Sequence, residues 1–512
     1  MDRIKSVSVR RVAWGAFLML MLVTVLDIAA RRDYVPENFE TLDVVPEIYP
    51  DYVDATLPPN IAPANFRIEV DAEDYATRLT TPNGRELCVA GREVCFPLKK
   101  WKYALQDAKG GKIACDVFVK KEGKWRKFKT FDYSISNDPI DPMIAYRLIE
   151  PGYEFGHRIV LAQRSLESFQ EDVFADNRTT ATSPCVNCHS FQNYKTNRFL
   201  FHYRSNGNAI KGGTILVDGK KIRKVTAEFE KKGATCSYPA WRPTGDLVAF
   251  SVNQTRQYFH SLSTQKLEVF DVTSDLVVFD FEKNELIPVL DTPDDFETFP
   301  GWSPDGRSLY YSCAKVKLEK PVSDFENRAD EAGNKTDEFH YSIMKMDFDE
   351  TTKTFGEPKI VVDANDEKSA LFARVSPDGN YLAYVVAKSG AFPIWRPEAD
   401  LFIKDLRSGK ERPWDELNSD NTESYHTWSS SGRWIVFSSR REDGQFTRLY
   451  FAHVDEQGRA SKPFVLPQKN PNANRYRFKS YNIPEFILEP VKLDSRELLN
   501  TFESEPVVTT NR

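Results

Sequence analysis

Pro300-Gly301-Trp302-Ser303-Pro304-Asp305-Gly306-Arg307, running at once into Ser308-Leu309-Tyr310-Tyr311-Ser312, is the stretch that decides the fold. Proline presets a turn and glycine accepts a positive φ, so Pro-Asp-Gly reads as a tight turn between two short strands. The phrase recurs. Pro239-Ala240-Trp241-Arg242-Pro243-Thr244-Gly245-Asp246 leads into residues 247–250, and Ser376-Pro377-Asp378-Gly379 precedes 380–384. Thr427-Trp428-Ser429-Ser430-Ser431-Gly432 precedes 433–438. Val375 replaces Trp in one copy, and Ser430-Ser431 replace Pro-Asp in another.

A second hairpin follows each phrase, clearest in 276–290, 402–411 and 449–465. Four strands per unit make the blade of a propeller. A degenerate fifth copy reads upstream, where 197–202 lines up with 432–438 if Phe201 matches Phe437, and 212–225 supplies its second hairpin. Strands from 141–160 and the C-terminal tail close a sixth. On these residues the chain from Phe199 onward resembles the TolB-like and WD-repeat-like β-propellers, which implies about six blades and no particular function.

The expected fold class is mainly β, with an N-terminal membrane anchor, a small β-sandwich, a haem-binding segment and then the propeller. Residues 12–30 are apolar over about the length that crosses a bilayer, and Arg3, Lys5, Arg10 and Arg11 precede them. This predicts a cytoplasmic tail over 1–11 and a transmembrane signal-anchor over 12–30. An ordinary cleaved signal is the alternative. The implied location is the extracytoplasmic, periplasmic side of a bacterial cell envelope, anchored in the inner membrane or released. Residues 31–63 are acidic and proline-spaced and read as a linker. Alternating runs between 64 and 138, punctuated by glycines, predict an immunoglobulin- or fibronectin-like sandwich. Residues 139–204 form the haem-binding segment leading into the first blade, and 205–512 the propeller.

Cys185-Val186-Asn187-Cys188-His189 carries the chemistry. Covalent haem attachment needs two thiols for the vinyl groups and a histidine beside the second for the iron, and this string supplies them. Attachment takes place outside the cytoplasm, so export and motif predict one another. The expected cofactor is one covalent haem c, with Cys185 and Cys188 as thioether donors and His189 as proximal iron ligand. Two other readings remain: a structural zinc site, for which Cys115, Cys236 and Cys313 offer no second pair, and a thioredoxin-like redox pair. The distal ligand is expected to be His202, opposite Phe201 on its strand, with His260 second. Residues 140–204 resemble the haem-bearing portion of bacterial exported proteins that join such a string to a TolB-like propeller.

Of the seven cysteines, only Cys88 and Cys95 form another close pair, and a bridge between them is compatible with an oxidising space. Asp305 and Asp378 sit in isolated turns without the dense oxygen pattern of a calcium loop, so no calcium is expected there. With 69 basic and 75 acidic residues and a net charge of -6, no nucleic-acid partner is expected. No Gly-x-Ser-x-Gly elbow occurs, which argues against a propeller-capped peptidase. The leading functional expectation is one-electron transfer to or from an envelope redox or assembly protein docked on the propeller. The alternatives are an envelope binding or assembly module with a structural or redox-sensing haem, and a haem peroxidase.

Overall fold

The repeated turns fold as their residues dictate. Ser303 Oγ donates to Asp305 Oδ1 at 2.5 Å, the same oxygen accepts from Arg307 N at 3.0 Å, and Gly306 takes φ +67°. Ser376 and Asp378 repeat the arrangement at 2.5 Å, with Gly379 at φ +75°. In the Ser-Ser copy, Ser431 Oγ takes the place of the carboxylate and accepts from Arg433 N at 3.3 Å. Each turn joins the innermost strand of a sheet to its neighbour.

The computed structural model describes residues 35–150, 158–179, 185–204, 213–227, 235–260, 265–292 and 294–511, and these form two units. The larger spans 138–466 and 477–512. It contains six sheets of four or five strands. Their innermost strands are β1 (Cys185–Gln192), β2 (Thr235–Trp241), β3 (Asp295–Trp302), β4 (Ser369–Val375), β5 (Glu423–Trp428) and β6 (Ser480–Ile487). Each abuts the next, and β6 abuts β1, so the sheets form a closed ring. The sheet of β6 takes its other three strands from residues 143–176, with Met143 opposite Ile487 and Ile149 opposite Ser480.

Apolar cores lie between adjacent sheets. One gathers Ile159, Leu161, Val186, Phe199, Phe201, Tyr203 and Ile487, and the next gathers Leu200, Leu216, Trp241, Val248 and Phe279. Strand alternation sends Phe199, Leu200 and Phe201, on the strand Lys195–Arg204, into these two cores in turn. The repeat tryptophans tie sheet to sheet. The indole N–H of Trp241 donates to the Ser190 carbonyl at 2.9 Å, that of Trp302 to Ala240 at 3.1 Å, and that of Trp428 to Arg374 at 3.0 Å. Val375 has no donor for this tie.

The smaller unit comprises the described residues up to Asn137 together with Pro467–Tyr476. Its seven-stranded sheet includes two parallel pairs, Glu40–Thr41 beside Lys124–Lys127 and Thr56–Leu57 beside Phe131–Ile135, and a three-stranded sheet stands apart from it. Both parallel pairs are made with strands before residue 64, so the sheet built from 64–138 also takes in earlier chain. Residues 35–63, expected as a linker, contribute strands and buried side chains such as Tyr52, Leu57 and Ile61. A helix, α1 (Leu98–Asp107), occupies a stretch for which the sequence analysis names no element. Its buried Trp101, Ala104 and Leu105 follow the helical spacing that marks it. No disulfide joins Cys88 to Cys95.

The expected cytoplasmic tail and anchor, 1–11 and 12–30, lie outside the described residues. A span needs about 20 apolar residues, whereas α1 has 10, and among the described residues no helix is long and apolar enough to cross a membrane. The inner-membrane assignment built on that anchor is corrected accordingly.

Candidate functional site at the ring axis

All six inner strands carry the same irregularity. In β1 to β5 the ladder slips one residue between Asn187 and Ser190, Ser237 and Ala240, Thr298 and Gly301, Leu371 and Arg374, and Ser424 and Thr427. In β6 the extra residue falls between Asn482 and Glu485. The first residue of each bulge has a positive φ: Cys188 +47°, Tyr238 +49°, Phe299 +53°, Phe372 +57°, Tyr425 +49° and Ile483 +52°. None is glycine. Such backbone is costly for residues with a Cβ, most of all for a β-branched isoleucine, and persists only where surrounding packing dictates it. Bulges re-aim side chains, and here they turn six of them toward the axis.

Four of the six are aromatic and touch in sequence around the ring. Tyr238 and Phe299 meet at 4.4 Å between centroids, Phe299 and Phe372 at 4.1 Å, and Phe372 and Tyr425 at 5.2 Å. Cys188 and Ile483 complete the circle. With the turns beyond them, these residues line a cavity of about 540 Å³. Close approach of β3 to β4 requires Gly301, because a Cβ there would lie 2.7 Å from the Ala373 carbonyl oxygen.

The position after each positive-φ residue holds His189, Pro239, Pro300, Ala373, His426 and Pro484, so imidazoles occur at two of the six. The His189 side chain is wholly buried, and its Nδ1 lies 3.0 Å from Glu485 Oε2. A proton on Nδ1 donated to that carboxylate leaves the lone pair on Nε2, which is buried without a hydrogen-bond partner. Glu485 Oε1 accepts from Phe191 N at 2.8 Å, so this carboxylate joins β6 to β1 where the ring closes. Burial pulls the Arg374 guanidinium below its ordinary value, and Glu485 opposes that pull. Burial, with Arg374 adding to it, pushes His426 down to about 3 and keeps it neutral. The Phe372 and Ala383 carbonyls favour its protonated form, but neither ring nitrogen reaches hydrogen-bond geometry with a partner.

The Cys-x-x-Cys-His string therefore lies within a strand and its bulge. Cys188 and His189 line the cavity, whereas Cys185 packs against the apolar core between the first and sixth sheets. His202 is buried on the second strand of the first sheet, opposite Asn187, and does not line the cavity. His260 is exposed past the end of Leu247–Phe259, away from it. The sequence reading passed over Arg374 and Glu485, and it held His426 only as one of several further distal-ligand candidates behind His202 and His260. The signal lay just before the tryptophans: Tyr238-Pro239-Ala240-Trp241, Phe299-Pro300-Gly301-Trp302 and Tyr425-His426-Thr427-Trp428 share one pattern, and Cys188-His189-Ser190-Phe191 and Ile483-Pro484-Glu485-Phe486 are variants of it.

No family model matches the chain, and no curated protein matches it. Among solved structures it is similar to an oligogalacturonate lyase in complex with manganese, at 12% identity over 81% of this chain and 98% of that one, with a TM-score of 0.32. It is also similar to prolyl oligopeptidase B from Galerina marginata bound to a 35mer substrate, at 12% identity, 80% of this chain, 55% of that one and a TM-score of 0.36. A prolyl endopeptidase is matched at 11% identity over 64% of this chain, with a TM-score of 0.32, and the chain spans 42% of its length. At these scores the likeness carries no activity across. The two thiols of the string face different environments, Cys188 the cavity and Cys185 an apolar core, so they are not placed together to hold one porphyrin. The expected one-electron carrier, and with it the envelope assembly module and the peroxidase, is corrected on these grounds.

Proposed function

We propose that the chain is a small-molecule-binding protein on a six-bladed, TolB-like β-propeller, whose axial cavity takes a flat, largely apolar ligand bearing an acidic group. One observation carries the reading: the buried His189 Nε2 without a partner, at the wall of an aromatic-lined cavity, with its ring fixed from behind by Glu485. Aromatic faces favour flat ligands by stacking, and Arg374 offers a cationic partner for a carboxylate. Haem, the cofactor expected from the string, is our candidate occupant. The His189 imidazole would hold its iron and Cys188 would offer one thioether sulfur, whereas Cys185 as packed does not supply the second. A bound haem would supply a redox-active iron centre. The chain's own part is to orient that imidazole and to keep water from it with the aromatic arc.

The test is a pyridine haemochrome assay on full-length protein from a host able to attach haem, followed by titration with haemin and with protoporphyrin IX. One equivalent of either is expected to bind. His189→Ala is expected to weaken haemin at least tenfold and to leave protoporphyrin IX unchanged. Absence of any covalent haem, together with no binding of either porphyrin to the folded protein, overturns the reading.

A further inference from the structure

Away from the axis, one edge of the third sheet gathers two carboxyl groups and a thiol, with an exposed lysine beside them. Asp295 and Glu297 sit two apart on β3 and so share a face, and Cys313 on the adjoining strand Ser308–Lys315 is the register partner of Glu297. One ligand atom from each lies within 4.8 Å of the other two. Glu297 is 2% exposed. Its Oε1 accepts from Thr292 Oγ1 at 2.6 Å, and its Oε2 is buried with no hydrogen-bond partner. A buried carboxylate oxygen with no donor is rare, and two further acidic groups, Asp275 and Asp295, act on this one. The nearest cation, Lys315 Nζ, stands 3.6 Å from Asp295, and its side chain is 79% exposed, so it can leave for solvent.

We propose that Asp295, Glu297 and Cys313 form a binding site for a divalent cation of the zinc type, with three protein ligands and a fourth position open through the partly exposed Asp295. Metal–oxygen and metal–sulfur bonds of about 2.0–2.3 Å place tetrahedral ligands roughly 3.3–3.8 Å apart, so small side-chain movements from the observed spacing suffice. A thiolate beside carboxylates selects zinc over calcium and magnesium, which require six or more oxygens or near-octahedral water. Burial and neighbouring carboxylates push Glu297 up to about 7 and Cys313 up to about 12. A cation would remove that cost, and its binding releases the thiol proton to solvent.

The experiment uses reduced, untagged, chelator-stripped full-length protein titrated with zinc chloride alone. One equivalent is expected to bind, at least 100-fold more weakly in Cys313→Ser and Glu297→Gln, and at least tenfold more weakly in Asp295→Asn, whose partly exposed position tolerates the change. Cobalt(II) gives a second readout. The wild type is expected to show a thiolate-to-cobalt charge-transfer band that Cys313→Ser loses and Cys188→Ser keeps. Zinc bound equally by wild type and Cys313→Ser, an equivalent lost in Cys188→Ser instead, equal competition by calcium, or no binding to a protein that retains its circular dichroism would each overturn the proposal.

Discussion

In β3 the bulge at Phe299-Pro300 and the turn at Ser303-Pro304-Asp305-Gly306 are separated by two residues, yet opposite means hold them. The turn is satisfied by itself: glycine takes the positive φ, and a serine and an aspartate cap the backbone within five residues. The bulge takes a positive φ on a phenylalanine, and what stabilises it comes from neighbouring sheets: aromatic contacts at 4.4 and 4.1 Å and the Ser251 hydroxyl, which accepts from Phe299 N at 3.0 Å. Repetition of both around the ring separates two tasks. The turns make each sheet, and the bulges make the cavity.

Changes at the bulge are therefore expected to exceed changes at the turn. Gly301→Val drives a side chain into the Ala373 carbonyl across the β3–β4 boundary, and neither backbone can yield alone. A loss of about 3 kcal/mol or more is expected in equilibrium denaturation; a loss below about 1 kcal/mol would show that the inner strands are loosely held. Trp302→Phe keeps the apolar packing and removes the indole bond to Ala240, at about 1 kcal/mol. Val375→Trp sharpens the same point: where the tie is naturally absent, a tryptophan should gain less than Trp302→Phe loses. Asp305→Ala at the turn should cost about 0.5–1 kcal/mol, the smallest of the set.

Asp305 also gives a sign to test with acid. The Ser303 hydroxyl, ahead of the Arg307 amide, holds its carboxyl below the ordinary 3.8. A folded value below the unfolded one means that its contribution is fully present above 3.8 and is lost as pH falls through the lowered value. Wild type and Asp305→Ala should therefore converge in stability toward pH 2 and separate above about 4. A gap that widens on acidification would contradict the turn geometry.

The same division explains what the sequence made legible. Ser-Pro-Asp-Gly turns are local, so their residues announce them, and the strands they join could be placed with the closing role of 141–160 and the C-terminal tail. Bulges are not local. Nothing in Cys188 or Tyr425 alone signals a positive φ, so Cys-Val-Asn-Cys-His read as a haem-binding segment ahead of the first blade, when it is an inner strand that sends one thiol to the cavity and the other to a core. His426 was one candidate among several and could not be singled out, because its place depends on which strands stand around the axis. Cys313 was set aside for want of a partner cysteine, whereas its neighbours are carboxylates supplied by strand register. Residues 35–63 looked like a linker because their three strands are only two residues long, and two of them pair in parallel with chain some 80 residues away.

The sheet completed by β6 sets a condition on synthesis. Met143–Ile149 pairs with a strand more than 300 residues later, so one side of it stays an unsatisfied edge until nearly the whole chain has emerged. Such an edge invites pairing with other molecules during that interval. Contacts of this range also make the final closure slow, since the entropy of bringing distant segments together is spent before any contact compensates it. Once shut, this sheet opens by losing the whole ladder between Met143–Ile149 and β6, so the late step that delays maturation also helps to protect the finished protein from partial unfolding.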